Sequence, residues 1–375
     1  MGMLVFQSLC KPGMPLADNM TAIAHSELAR AKYNDSVNPT KNFKGINAGV
    51  SEIKKHMVPN PPKTALTPDS RYPKSRHFSY GYYRVLDRAL NISAVGHYKP
   101  EPYKYYLSII AMFKNEAGVM KEWIEHHIGH GVEHLYLVDD FSSDNASSIL
   151  APYIKSGKVS MHSAPSIHIP FRQAALYKKL FTEIYSKNES KWVAIIDLDE
   201  FIYSPMEVDI RKVLRQHEEL AVVGLNWVWF GSNGYVKQPT SVIQSFKKRA
   251  DFDVSRYPEL VNHYRVLSNK DDWQKNIINT AARIDNVDVH QIVAEGVSAS
   301  LSYSAFPDNP KLLLNHYSTQ SREFFLLNKG TRGDVNNWIE TTARNMQWFN
   351  VCDINDVEDT RLKDQNYKNG IALAL

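Results

Sequence analysis

The chemistry in this chain is most concentrated at Asp197-Leu198-Asp199-Glu200, where the apolar run "WVAII" turns acidic without a break. An extended chain alternates its side chains, so the sequence predicts Asp197 and Asp199 on one side and Leu198 on the other. Two carboxylates at a strand end suit a hard divalent cation, which takes oxygen ligands and keeps positions open for phosphate oxygens. Left unpaired, the two acids would repel each other and lose hydration, and a bound cation removes most of that cost. A second Asp-x-Asp, at Asp251 and Asp253, follows "FKKRA" with no buried strand leading into it and reads as a solvated loop.

A divalent ion that bridges a diphosphate can neutralise the charge that develops as a nucleoside diphosphate leaves. Glycosyl transfer from a sugar nucleotide uses such a site. So does a magnesium-dependent phosphatase of the haloacid dehalogenase type, whose nucleophile motif is also Asp-x-Asp after a hydrophobic strand. That class continues with a small residue or Thr/Val, whereas Glu200 and Phe201 follow here. A third reading is a carbohydrate-binding protein that kept the fold and lost catalysis.

The elements that must position these acids follow a regular rhythm. "YYLSIIAMF" reads as a buried strand, and Met120, Trp123, Ile124 and Ile128 then recur at helical spacing, with Gly131 closing the helix. "HLYLVDD", "GKVSMHSA" and "KWVAII" are three further strands; "SSDNASSIL" starts one intervening helix, and Tyr177, Leu180, Phe181 and Ile184 face another. Alternating strands and helices at this spacing predict an α/β fold, a mostly parallel Rossmann-like sheet flanked by helices. Such sheets bind ligands at the carboxyl ends of their strands. Lys114, Asn115 and Glu116 follow the first strand, and Asp139 and Asp140 end the second. Helix capping competes with function at Asp139 and Asp140, explains Asp144 better, and makes Glu116 a candidate partner of a helix dipole.

The whole-chain totals narrow the setting. With 375 residues and 43% hydrophobic content, the chain can bury a sizeable core. Its two cysteines, Cys10 and Cys352, have no metal-type spacing, and a net charge of +4 predicts no nucleic-acid binding. The N-terminal segment lacks the charged region and the long apolar region of a secretory signal, and no run approaches roughly 20 apolar residues, so a cytoplasmic location without a membrane span is expected. Residues 1–75, rich in Pro, Asn, Lys and Ser, read as an irregular arm; 76–350 as the catalytic domain, with accessory strands at 78–106; and 351–375 as a C-terminal tail.

Four blocks in order carry a resemblance: "FKNEAGVMKEWIEHHIGHGVEHLYLVDDFSSD", "RQAALYKKLFTEIYSKNESKWVAIIDLDEF", "NWVWFGSNG" and "LNHYSTQSREFFLLNKGTRGD". Over about 106–335 the chain resembles glycosyltransferase family 92 and its GT-A neighbours. The resemblance implies a GT-A fold, a nucleoside-diphosphate sugar donor, a glycan or glycoconjugate acceptor, inversion at the anomeric carbon, and Mn²⁺ or Mg²⁺ held by the Asp-x-Asp motif. It gives Lys114, Asn115, Glu116, Asp139, Asp140 and Leu198 to the donor. Arg172 and Gln173 open a helix where an arginine meets a diphosphate, although Arg172 can equally pair with a strand-end carboxylate. His316, at the end of another apolar strand, is placed as a third metal ligand beside Asp197 and Asp199. Arg322, Lys329 and Arg332 are placed in a loop that folds over the pyrophosphate. The family pattern usually has a lysine three residues after that histidine, where this chain reads "HYSTQS".

Trp229, Phe230, Gly231 and Ser232 offer aromatic faces and small turn residues that suit a sugar acceptor. The competing reading of Trp227 and Trp229 is a core strand. An inverting transferase also needs a base for the acceptor hydroxyl, and among Asp285, Asp288, His290 and Glu295 the cluster "VDVHQ" points first to Asp288 and His290.

Overall fold

In a computed structural model of the chain, the structure describes residues 102–165, 172–253, 256–260, 274–290, 292–294, 297–298, 311–331 and 344–372. All lie in one compact unit, Ser75–Leu375. The expected arm at 1–75, most of the accessory strands at 78–106, and Glu295 and Arg332 fall outside the described residues.

The first strand, β1 (Tyr105–Phe113), is apolar because both of its faces are covered. Leu107, Ile109, Ala111 and Phe113 join one core with Met120, Trp123 and Ile124 of α1 (Ala117–Gly129) and Leu150 of α2 (Ala146–Lys155). The alternate residues Ile110 and Met112 join a second core with Tyr177, Leu180, Phe181 and Ile184 of α3 (Arg172–Ser186). Each fully buried Leu, Ile or Met contributes about 1.5–3 kcal/mol, so helices on both faces are what this period-2 pattern selects. Gly131 follows α1 with φ +97, a left-handed conformation that costs a glycine nothing.

β1 pairs in parallel with β2 (His134–Asp139) and β4 (Ser190–Ile195), and β2 with β3 (Val159–Ser163), giving the order β3-β2-β1-β4. The remaining half of the eight-stranded sheet is mixed. β8 (Gln274–Asn279) runs antiparallel to both β4 and β6 (Val222–Trp229). β12 (Leu313–His316) is parallel to β6, and β5 (Glu200–Tyr203) closes the edge antiparallel to β12. Two small antiparallel groups flank it: β9 (Ile284–Val287), β10 (Ile292–Ala294) and β11 (Val297–Ser298), and the pair β7 (Lys248–Arg249) with β13 (Val357–Glu358).

Two expectations are corrected here. The acidic motif is not an extended continuation of β4, because the chain turns after Ile195 and the Glu200 N–H donates to the Asp197 carbonyl at 3.1 Å. Residues 351–375, expected as a tail, supply β13 and the helix α5 (Arg361–Asn369) after α4 (Met346–Cys352), and Asn366 of α5 is buried against α1. Among the described residues no helix is long and apolar enough to cross a membrane.

Candidate active site

The turn between β4 and β5 delivers its two aspartates to different partners. Asp197 Oδ2 receives the Lys275 ammonium at 2.8 Å, and its Oδ1 receives the Gln173 amide at 3.1 Å, with the Tyr177 hydroxyl at 3.4 Å. Asp199 Oδ2 receives the Lys329 ammonium at 2.5 Å and lies 3.6 Å from His316 Nε2. Asp197 keeps an open face, with 31% of its side chain exposed against 5% for Asp199. Burial alone would raise both carboxyls. Lys275 outweighs it at Asp197, and Lys329 with His316 outweighs it further at Asp199, so Asp197 lies below and Asp199 well below the usual carboxylate range.

Glu200 holds the turn from beneath. It accepts the Asp197 N–H at 2.7 Å and the Trp227 indole N–H at 2.5 Å, and its own carbonyl accepts the Trp123 indole N–H at 2.8 Å. Complete burial pushes its carboxyl well above the ordinary range, with Lys275, 3.9 Å away, opposing the rise. Burial also lowers His316, whose ring forms a three-ring cluster with Trp227 and Trp229, at centroid distances of 4.7 and 4.8 Å.

A divalent cation would need oxygen and nitrogen donors that converge on one point. Asp199 Oδ2 and His316 Nε2 are such donors, and Glu116 Oε1 lies 4.0 Å from the same Lys329 nitrogen. His316 Nδ1 is buried without a hydrogen-bond partner. Among the described residues no three His, Cys, Asp or Glu side chains converge closely enough to hold an ion. Oxygen and imidazole donors are of the types that Mn²⁺ or Mg²⁺ takes, and the Lys329 ammonium occupies the position beside Asp199.

The remaining expected residues divide by location. Asp140, 3% exposed, pairs with Arg172 at 2.7 Å, so this arginine binds a strand-end carboxylate. Asp139 accepts the Ser142 N–H at 2.8 Å, a turn-bracing bond, and Asp144 accepts the Ala117 N–H at 2.8 Å at the start of α1. Asn115, at φ +54, ties the loop after β1 to the loop after β2, since its Oδ1 accepts the Ser143 N–H at 2.7 Å. Lys114 beside it is half-buried, whereas Glu116 is buried near Lys329. Leu198 is core.

The expected acceptor turn is closed. Trp229 and Phe230 are 2% and 1% exposed, and Phe230 packs on Tyr317 at 4.7 Å. Ser232 is sealed by Asp353, which accepts its hydroxyl at 3.0 Å, and a Cβ on Gly231 would lie 2.4 Å from Asn355 Oδ1. Trp229 and Phe230 therefore belong to the core, and Gly231 and Ser232 are covered by residues 353–355. The loop expected over the pyrophosphate is instead a capped helical turn. Ser321 Oγ accepts the Phe324 N–H at 3.0 Å, Lys329 points inward, and exposed Arg322 lines a groove with Val236, Leu326 and Leu327.

Of the two base candidates, Asp288 accepts the adjacent Val289 N–H at 2.6 Å. His290 is half-buried against the Trp227 ring, with centroids 5.4 Å apart, and lies on the side of Asp197. Asp251, of the second Asp-x-Asp, pairs with Arg256 at 2.6 Å on the surface. Sequence reasoning missed Lys275. A charged residue next to "NII" in a strand was the available signal, because lysines are almost never fully buried unless paired.

Residues 104–362 match the family profile described as Glycosyltransferase family 92. A family 92 protein of Ricinus communis is 30% identical over 106 residues, which are 27% of this chain and 17% of the relative. One of Arabidopsis thaliana is 31% identical over 103 residues, again 27% of this chain and 17% of the relative. This chain thus aligns with under a fifth of either relative's length. The crystal structure of S. aureus TarS 1-349 in complex with UDP-GlcNAc is 17% identical, covering 47% of this chain and 46% of that one with a TM-score of 0.29.

Proposed function

Because the chain belongs to glycosyltransferase family 92, we propose that it moves a sugar from a nucleoside-diphosphate sugar to a hydroxyl of a glycan or glycoconjugate, with inversion and with Mn²⁺ or Mg²⁺ as cofactor. The observation that carries the proposal is the pairing of Asp199 with His316 at the ends of the β4–β5 turn and of β12, beside two buried lysines.

In this reading Asp199 and His316 would hold the ion, with the open face of Asp197 beside them. Once bound, the ion would supply Lewis-acid charge for the leaving diphosphate. Lys275 and Glu200 keep the turn in register, since they engage Asp197 at its side chain and its backbone N–H respectively. His290, on the β9–β10 turn, takes the proton of the acceptor hydroxyl, and Asp288 shapes that turn through Val289. Arg172, held by Asp140, gives the donor side a fixed positive charge.

Release of nucleoside diphosphate from a panel of sugar nucleotides, with and without Mn²⁺ and with glycan acceptors, tests the proposal. Saturable donor binding with no turnover for any pair would favour a catalytically silent carbohydrate-binding protein instead. Phosphate release from simple phosphomonoesters would favour the phosphatase chemistry.

A further inference from the structure

We infer that Lys329 is a built-in counter-cation that holds Asp199 when no divalent ion is bound and must leave it when one binds. The inference rests on the metal reading above and adds a competitor to it. The Lys329 ammonium sits 2.5 Å from Asp199 Oδ2, the same oxygen that His316 Nε2 approaches to 3.6 Å, and only 4% of the lysine side chain is exposed. One carboxylate oxygen cannot keep an ammonium at hydrogen-bond distance and also bind a dication beside it without strong repulsion between the two. The Asp197–Lys275 pair differs, because Lys275 binds Oδ2 while Gln173 and Tyr177 meet Oδ1, and 31% of the carboxylate side chain stays exposed.

The backbone that carries Lys329 is anchored, so the exchange is a side-chain movement. Phe325–Lys329 is one π-helical turn, a conformation that recurs at functional sites. Its first residue stacks on Trp348 at 5.5 Å, and the Arg322 and Glu323 N–H groups donate to the Tyr235 and Val236 carbonyls. A lysine suits the task because its charge rides on a flexible four-carbon stem, where an arginine fork would hold the carboxylate at two points. Displaced from Asp199, the ammonium stays within reach of whatever anion the ion recruits, so one residue guards the empty site and serves the filled one.

The test is Mn²⁺ titration of the full chain, without donor, followed by electron paramagnetic resonance. Lys329→Gln keeps a hydrogen-bond donor for Asp199 and removes the charge, and it should bind Mn²⁺ at least about tenfold tighter than the wild type. Adding Asp199→Asn to that variant should abolish the gain. In the unaltered protein, acylation of Lys329 by acetic anhydride, read by mass spectrometry, should rise several-fold at saturating Mn²⁺. Equal Mn²⁺ affinity in both proteins, or Lys329 labelling unchanged by bound Mn²⁺, overturns the exchange and leaves the metal site standing. Absence of Mn²⁺ binding in both proteins overturns the metal reading and the exchange together.

Discussion

Two clusters of titratable groups, one at the turn before β5 and one along α1, solve the same problem in opposite ways. At the β4–β5 turn, charge is met by charge: Asp197 with Lys275, Asp199 with Lys329. Under α1, charge is excluded. His126 donates from Nε2 to the Ile202 carbonyl at 2.8 Å and accepts the Asn366 amide at Nδ1 at 3.2 Å. His127 donates to the Trp123 carbonyl at 2.8 Å, and His130 has an acceptor oxygen at each ring nitrogen, the Val208 carbonyl at 2.9 Å and Asn366 Oδ1 at 2.8 Å, of which a neutral ring donates to one. The first arrangement balances ions against each other, and the second uses His126 and His127 as a neutral hydrogen-bonding core. The same residue types therefore say little about function until their partners are known.

That contrast can be broken at either cluster, and the largest expected effect is at the histidines. Burial drives all three below their ordinary range, His127 to about 3, and for His126 the neighbouring imidazoles add to the drop. A histidine whose folded pKa is depressed stabilises the fold fully above its unfolded pKa of about 6.5. That contribution is lost as pH falls below it, by up to about 1.4 kcal/mol per pH unit for each histidine. Urea unfolding at pH 7.5, 6 and 5 should show a steep loss, and a flat profile would place charge where the structure excludes it.

Next in size is the rigid lysine of the acid cluster. Lys275 is fully buried in β8, so Lys275→Met should destabilise by about 3 kcal/mol in denaturant unfolding, through the unpaired Asp197. A neutral outcome would mean that Gln173 and Tyr177 suffice to hold that carboxylate. Replacing Asn366, 1% exposed, with Leu should cost about 2 kcal/mol by leaving buried ring nitrogens unsatisfied. At the small end, Lys237→Ala removes a pair with Glu323 in which the lysine is 84% exposed, and the thermal midpoint should not move measurably.

Much of the parallel half was legible because its evidence is local. "YYLSIIAMF" is β1 residue for residue, and the helical spacing of Met120, Trp123 and Ile124 is the buried stripe of α1. The mixed half was not, because its contacts are remote in sequence. Lys275 meets Asp197 across 78 residues, and Asp353 closes over Ser232 across 121. Nothing in "NWVWFGSNG" announces that the segment 353–355 will cover it. The position of the aspartates at a strand end is legible in the sequence, but their geometry is not, since extended alternation holds only while the strand continues and β4 ends before Asp197. The exclusion of Asp251 and Asp253 as a solvated loop needed only the missing apolar run before them, and the structure has Asp253 exposed and Asp251 half-buried beside Arg256.

The central claim is that Asp199 sits at the reacting end of a sugar-nucleotide site. Its most direct test is nucleoside-diphosphate release by Asp199→Asn beside the wild type, each with Mn²⁺ and the best donor and acceptor of the panel, with folding checked by circular dichroism. The account predicts a folded variant whose turnover falls by about a thousandfold, on the order of 4 kcal/mol of lost transition-state stabilisation. A folded variant with near-normal turnover at every Mn²⁺ concentration would contradict it.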